Sequence, residues 1–170
     1  MIHLQFANPT PASRIRHQGA RHWHDEAYAG WLRYARDLCV LRGPREPLQG
    51  PICLAVVVVG TRCVVPRGRA PGTFDAHQER TKPPWVPAAT WREGCRLWRP
   101  VRPDDDNYGK AIRDAMNGRI FADDGQIVAS LSYKVIAARG EDAKILVWCG
   151  TMAEQAEVFA ACAAGLGVVR

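Results

Sequence analysis

The sequence predicts an α+β fold in which helices pack on one mixed β-sheet. A continuous apolar run over residues 52–59, rich in β-branched side chains, is typical of a central strand that is buried on both faces. Apolar and polar residues alternate over residues 1–6 and 126–137, which indicates further strands. Apolar side chains recur at helical spacing over residues 25–42. With 170 residues and 47% hydrophobic content, we expect one domain over residues 1–170.

The segment after the first strand is basic. A turn-rich loop over residues 7–13 leads to Arg14, Arg16 and Arg21, with Trp23 close by. Arginines around an aromatic side chain suit contact with nucleic-acid phosphates, with some stacking on bases. The composition of this segment therefore suits contact with a nucleic acid.

Charge is distributed unevenly along the chain. Residues 1–102 hold 16 Lys and Arg against 7 Asp and Glu, whereas residues 103–170 hold 7 against 10. A basic first part that attracts phosphates and an acidic last part that binds a metal ion would suit a nuclease. The alternative is that the arginine excess reflects only the base composition of a high-GC genome.

Residues 65–100 form a long stretch that is rich in proline, tryptophan and arginine. A connection of this length without regular structure is unusual unless it is functional or disordered. Its end leads directly into an acidic stretch, so we expect it to lie beside the functional site. Two roles remain open: a basic flap that contacts DNA or a partner subunit, or a structural brace that buries its tryptophans.

The acidic stretch carries the clearest chemical pattern. Residues two apart share one face of an extended segment, so Asp104 and Asp106 should project together while Asp105 points away. Asp106 or Asn107 is then expected to cap the following helix, with Lys110 one turn after Asp106 on the same side. Clustered carboxylates suit Mg²⁺, and a nearby ammonium group can stabilise charge on a phosphate oxygen. The pattern predicts a metal-dependent phosphodiester site; the plain alternative is a solvated acidic loop that caps a helix.

The last part of the chain is expected to add a hairpin and a helix. Within residues 126–137, the alternation predicts one face made of Ile127, Ala129, Leu131, Tyr133 and Val135. After a turn at residues 140–142, residues 144–149 are predicted to pair with that strand as a hairpin. Helices are predicted over residues 107–117 and 152–164, in addition to residues 25–42.

The remaining composition narrows the class of protein. No apolar run approaches 18 residues, and the first residues lack the apolar region of a signal peptide, so we expect no membrane span. The six cysteines are widely spaced without a Cys-x-x-Cys pair, which predicts reduced thiols in a cytoplasmic protein rather than a zinc site.

Three short motifs together resemble the RusA-type Holliday-junction resolvases. They are Arg-Pro-Asp-x-Asp-Asn-x-x-Lys from Arg102, Asp-Ala-Met-Asn-Gly from Asp114, and Asp-Asp-x-Gln-Ile from Asp123, just before a strand. The similarity is dense from Arg102 to about Val135, weaker over the first 64 residues and absent between them. The resemblance implies a homodimeric, Mg²⁺-dependent endonuclease, of a kind common in phages and prophages, that nicks four-way DNA junctions symmetrically.

The resemblance also implies roles for individual residues. The family's acidic residues, which are catalytic and bind the metal, correspond to Asp104, Asp106 and Asp124, and its catalytic lysine corresponds to Lys110. Supporting positions are matched by Asn107 and Asp123. The candidate DNA-binding residues are Arg14, Arg16, Arg21, Arg102 and Lys134. Two alternatives remain: a junction-binding protein without catalysis, and a nuclease for another branched DNA such as a fork or flap.

Overall fold

The computed structural model describes residues 1–7, 10, 12, 16–18, 21–23, 26–60, 63–64, 85–86, 92–99 and 105–169. For the short strands over residues 16–18, 21–23, 63–64 and 85–86, and for residue 168, only the backbone is described. The main strands are β1 (Ile2–Ala7), β4 (Ile52–Gly60), β7 (Cys95–Trp98), β8 (Ile127–Ile136), β9 (Lys144–Thr151) and β10 (Val168–Val169). Within the described part of the chain they form one mixed sheet in the order β1-β9-β4-β8-β7-β10. Two short pairs are separate from it: β2 (Arg16–Gln18) with β3 (Arg21–Trp23), and β5 (Cys63–Val64) with β6 (Trp85–Val86).

Strand β4 lies at the centre of the sheet, as its apolar run predicts. All nine of its residues are buried. Strand β8 pairs with it in parallel and β9 pairs with it antiparallel on the other side. The predicted hairpin between β8 and β9 is therefore wrong, because β4 lies between them. A strand that is apolar on both faces gains most when both of its edges are also paired, and residues 137–143 are long enough to cross its end.

Three helices in the described residues pack on this sheet, which confirms the α+β fold. They are α1 (Glu26–Arg42), α2 (Asp105–Met116) and α3 (Gln155–Leu166), and a 3₁₀ turn over Met152–Glu154 leads into α3. Each lies within three residues of its predicted bounds. Helix α2 begins two residues earlier than expected, at Asp105. Asp106 and Asn107 consequently lie inside its first turn, so the prediction that either residue caps the helix is wrong.

The two faces of the sheet bury separate apolar clusters. We call the face with Ile52, Leu54, Val56 and Val58 the front face; it is covered by α1 and α2. The opposite face, with Cys53, Ala55, Val57 and Val59, is the rear face, and α3 covers it. Helices α1 and α2 are joined where the Tyr28 hydroxyl donates to Asp114 Oδ2 at 2.7 Å. Burial and this bond raise the pKa of Tyr28.

Strand β8 contains an irregularity at its start that the alternation did not predict. Ile127 pairs with Ile52, but the next pair is Ala129 with Cys53, so Val128 has no partner in the ladder. An extra residue shifts every side chain before it to the opposite face. Ile127 therefore packs on the front face, whereas Ala129, Leu131, Tyr133 and Val135 pack on the rear face as expected.

Strand β7 is held by a partly buried ion-pair network. Arg96 Nε and Nη2 donate to Glu141 Oε2 and Oε1 at 2.9 and 2.5 Å, and Arg96 Nη1 donates to the carbonyls of Gly165 and Leu166 at the end of α3. Lys144 Nζ lies 2.9 Å from Glu141 Oε1. Burial alone would raise the pKa of Glu141, but these donors and the Ala138 N–H outweigh burial and lower the pKa to about 2.

The stretch over residues 65–100 is partly accounted for. Its last strand, β7, belongs to the main sheet, and Trp98 contacts Tyr133 while 48% exposed. Residues 65–84, 87–91 and 100 lie outside the described residues, so the choice between flap and brace stays open.

The cysteines whose side chains are described are all free and buried. None of the helices in the described ranges is long and apolar enough to cross a membrane.

Candidate active site

The first turn of α2 turns two neighbouring carboxylates in different directions. Asp105 is partly buried, and the Ser132 hydroxyl on β8 donates to its Oδ1 at 2.5 Å. Asp106 is exposed. Asp105 and Asp106 therefore point in different directions, as expected, although a helix rather than an extended segment begins at Asp105. Asp104 lies outside the described residues, so the expectation that Asp104 and Asp106 project together stays a prediction. Acidic side chains in a first turn also interact favourably with the helix dipole.

Lys110 completes a charged face on α2. It is exposed and lies four residues after Asp106, so both side chains occupy the same side of the helix. Tyr108 and Ala111, on the other side, are buried against the sheet. The helix thus presents a carboxylate and an ammonium group together to solvent.

The N-terminal segment is anchored beside the start of α2. The backbone carbonyl of Asn107, a half-buried residue, accepts a hydrogen bond from the Ala12 N–H at 3.0 Å. Strand β2 begins only four residues after Ala12, so the basic segment with Arg16 and Arg21 starts close to the acidic turn. The side chains of these two arginines are not described, and Arg14, Arg102 and Asp104 lie outside the described residues.

The second acidic pair forms a local cap. Asp123 Oδ1 accepts from the Gly125 N–H at 2.8 Å, and Gln126 Oε1 accepts from the Asp123 N–H at 2.9 Å. Gln126 also donates to the carbonyls of Leu48 and Gly50. Asp123 therefore stabilises the 3₁₀ turn Asp124–Gln126, while Asp124 itself is exposed.

The two acidic regions lie at different positions along β8. Asp124 comes just before Ile127, which pairs with Ile52, whereas Ser132, the partner of Asp105, pairs with Val56. Four residues of β4 separate these positions, or about 13 Å at about 3.3 Å per residue. The described residues, which do not include Asp104, contain no group of three or more His, Cys, Asp or Glu side chains that could hold a metal ion.

The front face carries two more polar side chains near α2. Lys134 is half-buried and pairs with Val58, and its carbonyl accepts from the Arg99 N–H at 3.1 Å. Arg99 is only 8% exposed. Neither Ser132 nor Arg99 was singled out from the sequence. A serine on the polar side of an alternating strand was a weak signal, and Arg99 was one of several arginines in an irregular stretch.

The donor set fits a hard divalent cation. Mg²⁺ usually binds through one or two carboxylates and keeps its remaining positions for water and substrate phosphate. Asp106 and Asp124 are exposed carboxylates, and Asp105 lies next to Asp106 with one oxygen engaged by Ser132. A site with oxygen donors and no sulfur or imidazole ligands favours Mg²⁺ over a thiophilic metal.

Comparison with known families agrees with the resemblance of the motifs. The family model of the endodeoxyribonuclease RusA matches residues 7–147, which include β4, α2 and β8. No curated protein matches the chain. Because the match covers most of the sequence and both acidic regions, the chain belongs to the RusA endodeoxyribonuclease family.

Proposed function

We propose that the chain is an Mg²⁺-dependent endodeoxyribonuclease that resolves four-way DNA junctions by paired symmetric nicks, as one domain over residues 1–170. The observation that carries the proposal is the charged face of α2, where Asp106 and Lys110 are exposed together beside the anchored basic segment. Phosphate contacts from a basic surface supply affinity that does not depend on sequence. An acidic, cation-dependent centre next to that surface is the arrangement that phosphodiester cleavage requires.

The acidic residues and Lys110 would divide the chemistry between them. Asp104, Asp106 and Asp124 would hold the cation, which when bound supplies Lewis-acid polarisation of the scissile phosphate. Asp105, fixed by Ser132, would keep the first turn of α2 in register with β8. Lys110 would offset the negative charge that develops on phosphate oxygens in the transition state. Arg14, Arg16, Arg21, Arg102 and Lys134 would bind the DNA backbone.

A homodimer would account for the separation of the two acidic regions. Asp124 comes just before Ile127, and Asp105 is bonded to Ser132; the β4 partners of these two β8 residues, Ile52 and Val56, lie about 13 Å apart. We therefore propose that Asp106 of one subunit and Asp124 of the partner subunit complete one metal site. Two such sites related by a two-fold axis would suit paired nicks on a symmetric junction.

The function is tested by cleavage of a synthetic four-way junction and a matched linear duplex with Mg²⁺. Wild type should nick the junction in symmetric pairs and leave the duplex intact, whereas Asp106→Asn should be inactive. Asp37→Asn, at an exposed position on α1, is the matched control and should retain activity. Junction binding without nicking by wild type would support the non-catalytic alternative, and faster cutting of forks or flaps would change the substrate.

The shared site is tested by mixing two inactive variants in one dimer. Co-expressed Asp106→Asn and Asp124→Asn subunits form heterodimers in which one shared site has both aspartates and the other has neither. Single nicks on the junction should reappear. If both aspartates acted within one subunit, each site would lack one of them, and the heterodimer would stay inactive.

A further inference from the structure

A guanidinium group is buried beside the candidate site. Arg99 directly follows β7 and its side chain lies on the front face, between Gly60 of β4 and Tyr108 of α2. The residue is 8% exposed, and it is the one charged residue that is buried among the described residues. Fully buried arginines are rare unless they are paired.

The described residues leave the Arg99 side chain with few partners. Nη1 lies 3.4 Å from the Tyr108 hydroxyl, at the outer limit for a hydrogen bond, and Nε is buried without any partner. No described carboxylate forms an ion pair with it. A guanidinium offers five donors in a fixed plane, and a buried cation without a counter-ion is unfavourable. The described part of the chain therefore supplies no anion for this group.

The position of the guanidinium is set by the backbone of Gly60. A Cβ atom at Gly60 would lie 1.9 Å from Arg99 Nη1, so any side chain there would displace the group. This glycine ends an otherwise side-chain-filled strand, and it pairs with Ile136 two residues beyond Lys134. The missing side chain of Gly60 on β4 thus provides the space that the guanidinium of Arg99 occupies.

The surroundings favour a phosphate as the missing anion. Gly60, Lys134 and Ser132 belong to one face of the sheet by their registers, and Tyr108 lies one turn after Asp105 in α2. The helix N-terminus itself favours anions. An arginine binds phosphate oxygens in a bidentate manner, and in a nuclease the phosphate near the acidic turn is that of DNA.

We propose that Arg99 is a phosphate-binding residue that receives one backbone phosphate of DNA next to the acidic turn of α2. The proposal rests on the proposed function only in taking DNA as the source of the phosphate. It explains why this charged side chain is buried with one long contact to Tyr108 and no carboxylate among the described residues: the anion arrives with the substrate.

The test is the salt dependence of DNA binding without divalent metal. Each phosphate contact contributes about 0.9 to the slope of log K against log salt concentration. For Arg99→Met on a four-way junction, the magnitude of this negative slope should therefore be smaller by about 0.9. As a result, the ratio of the wild-type affinity to the variant affinity should shrink about 3.5-fold from 50 to 200 mM salt. Arg33→Met, at an exposed position on α1, controls for the loss of one charge and should keep the wild-type slope.

Melting of the free proteins supplies an independent reading. Removal of a buried cation that has no carboxylate partner among the described residues should leave the melting temperature of Arg99→Met equal to or above that of wild type. If Arg99→Met does not fold, Arg99→Gln is measured by the same slope. The slope decides: an unchanged slope in the folded variant overturns the proposal, and a lowered melting temperature with that unchanged slope would make Arg99 a structural residue.

The outcomes separate this proposal from the proposed function. Wild type that binds DNA with the Arg99-dependent slope but cuts no junction would refute the nuclease assignment and support the phosphate site. Junction cleavage together with an unchanged slope in Arg99→Met would refute the phosphate site alone.

Discussion

Replacement of Glu141 by glutamine tests the network that holds β7 against the rest of the sheet. Glu141 accepts from both Arg96 and Lys144, and its side chain is 16% exposed. Arg96 in turn bonds the end of α3. Glutamine keeps the shape of the side chain but removes the charge, so the variant isolates the ionic contribution of this residue.

The size of the effect follows from the pKa. Glu141 titrates at about 2 in the folded protein against 4.5 for an ordinary glutamate. Each pKa unit corresponds to about 1.4 kcal/mol, so the charged form contributes about 3 kcal/mol to folding at neutral pH. In a chain of this length, that loss lowers the melting temperature by about 6–12 °C.

The pH dependence gives the sharper measurement. A carboxyl group with a lowered pKa in the folded state stabilises above its unfolded pKa, and this stabilisation is lost as the pH falls through the folded pKa. The difference in unfolding free energy between wild type and Glu141→Gln should be full above about pH 5 and shrink toward zero between about pH 4.5 and 2. Urea denaturation at a series of pH values measures it.

A constant difference across this range would refute the reasoning. It would mean that glutamine costs stability through shape or lost hydrogen bonds rather than through charge. Glu157→Gln, at an exposed position on α3, is the control and should match wild type at every pH.

Two further predictions concern the acidic turn. Ser132→Ala removes the hydroxyl that donates to Asp105. The substitution should cost about 1 kcal/mol of folding free energy and slow cleavage without weakening DNA binding. Ser132→Thr keeps the donor and should act like wild type. Weaker DNA binding by the alanine variant would contradict this. Millimolar Mg²⁺ should raise the melting temperature of wild type and of Asp37→Asn more than that of Asp106→Asn; equal responses would count against Asp106 as a ligand.

The fold was predictable where one pattern determined it. Helical periodicity gave α1 and α3 to within three residues, and the apolar run gave the buried strand β4. The pairing of β8 with β9 was not predictable in this way, because local alternation identifies strands but not their neighbours. The face of Ile127 was wrong for a related reason: one unpaired residue, Val128, reverses the alternation before it.

The site was predictable as a set of residue types but not as a geometry. The four-residue spacing of Asp106 and Lys110 predicted that they lie on the same side of a helix, and both residues do lie within helix α2. The direction of Asp105 depended on where the helix begins, which the acidic run did not fix. The burial of Arg99 depends on Gly60, 39 positions earlier in the chain, and no local pattern links them.

The central position of β4 has a consequence for synthesis of the chain. Its ladder partners begin at Ile127 and Lys144, so translation must pass at least 67 further residues after Gly60 before either edge can pair. At about 5–20 residues per second, this nine-residue apolar segment waits several seconds or longer on the ribosome with both edges open. Segments of this composition aggregate readily when exposed. Production at low temperature or with a holdase chaperone should therefore raise the soluble yield more than any change at the acidic turn.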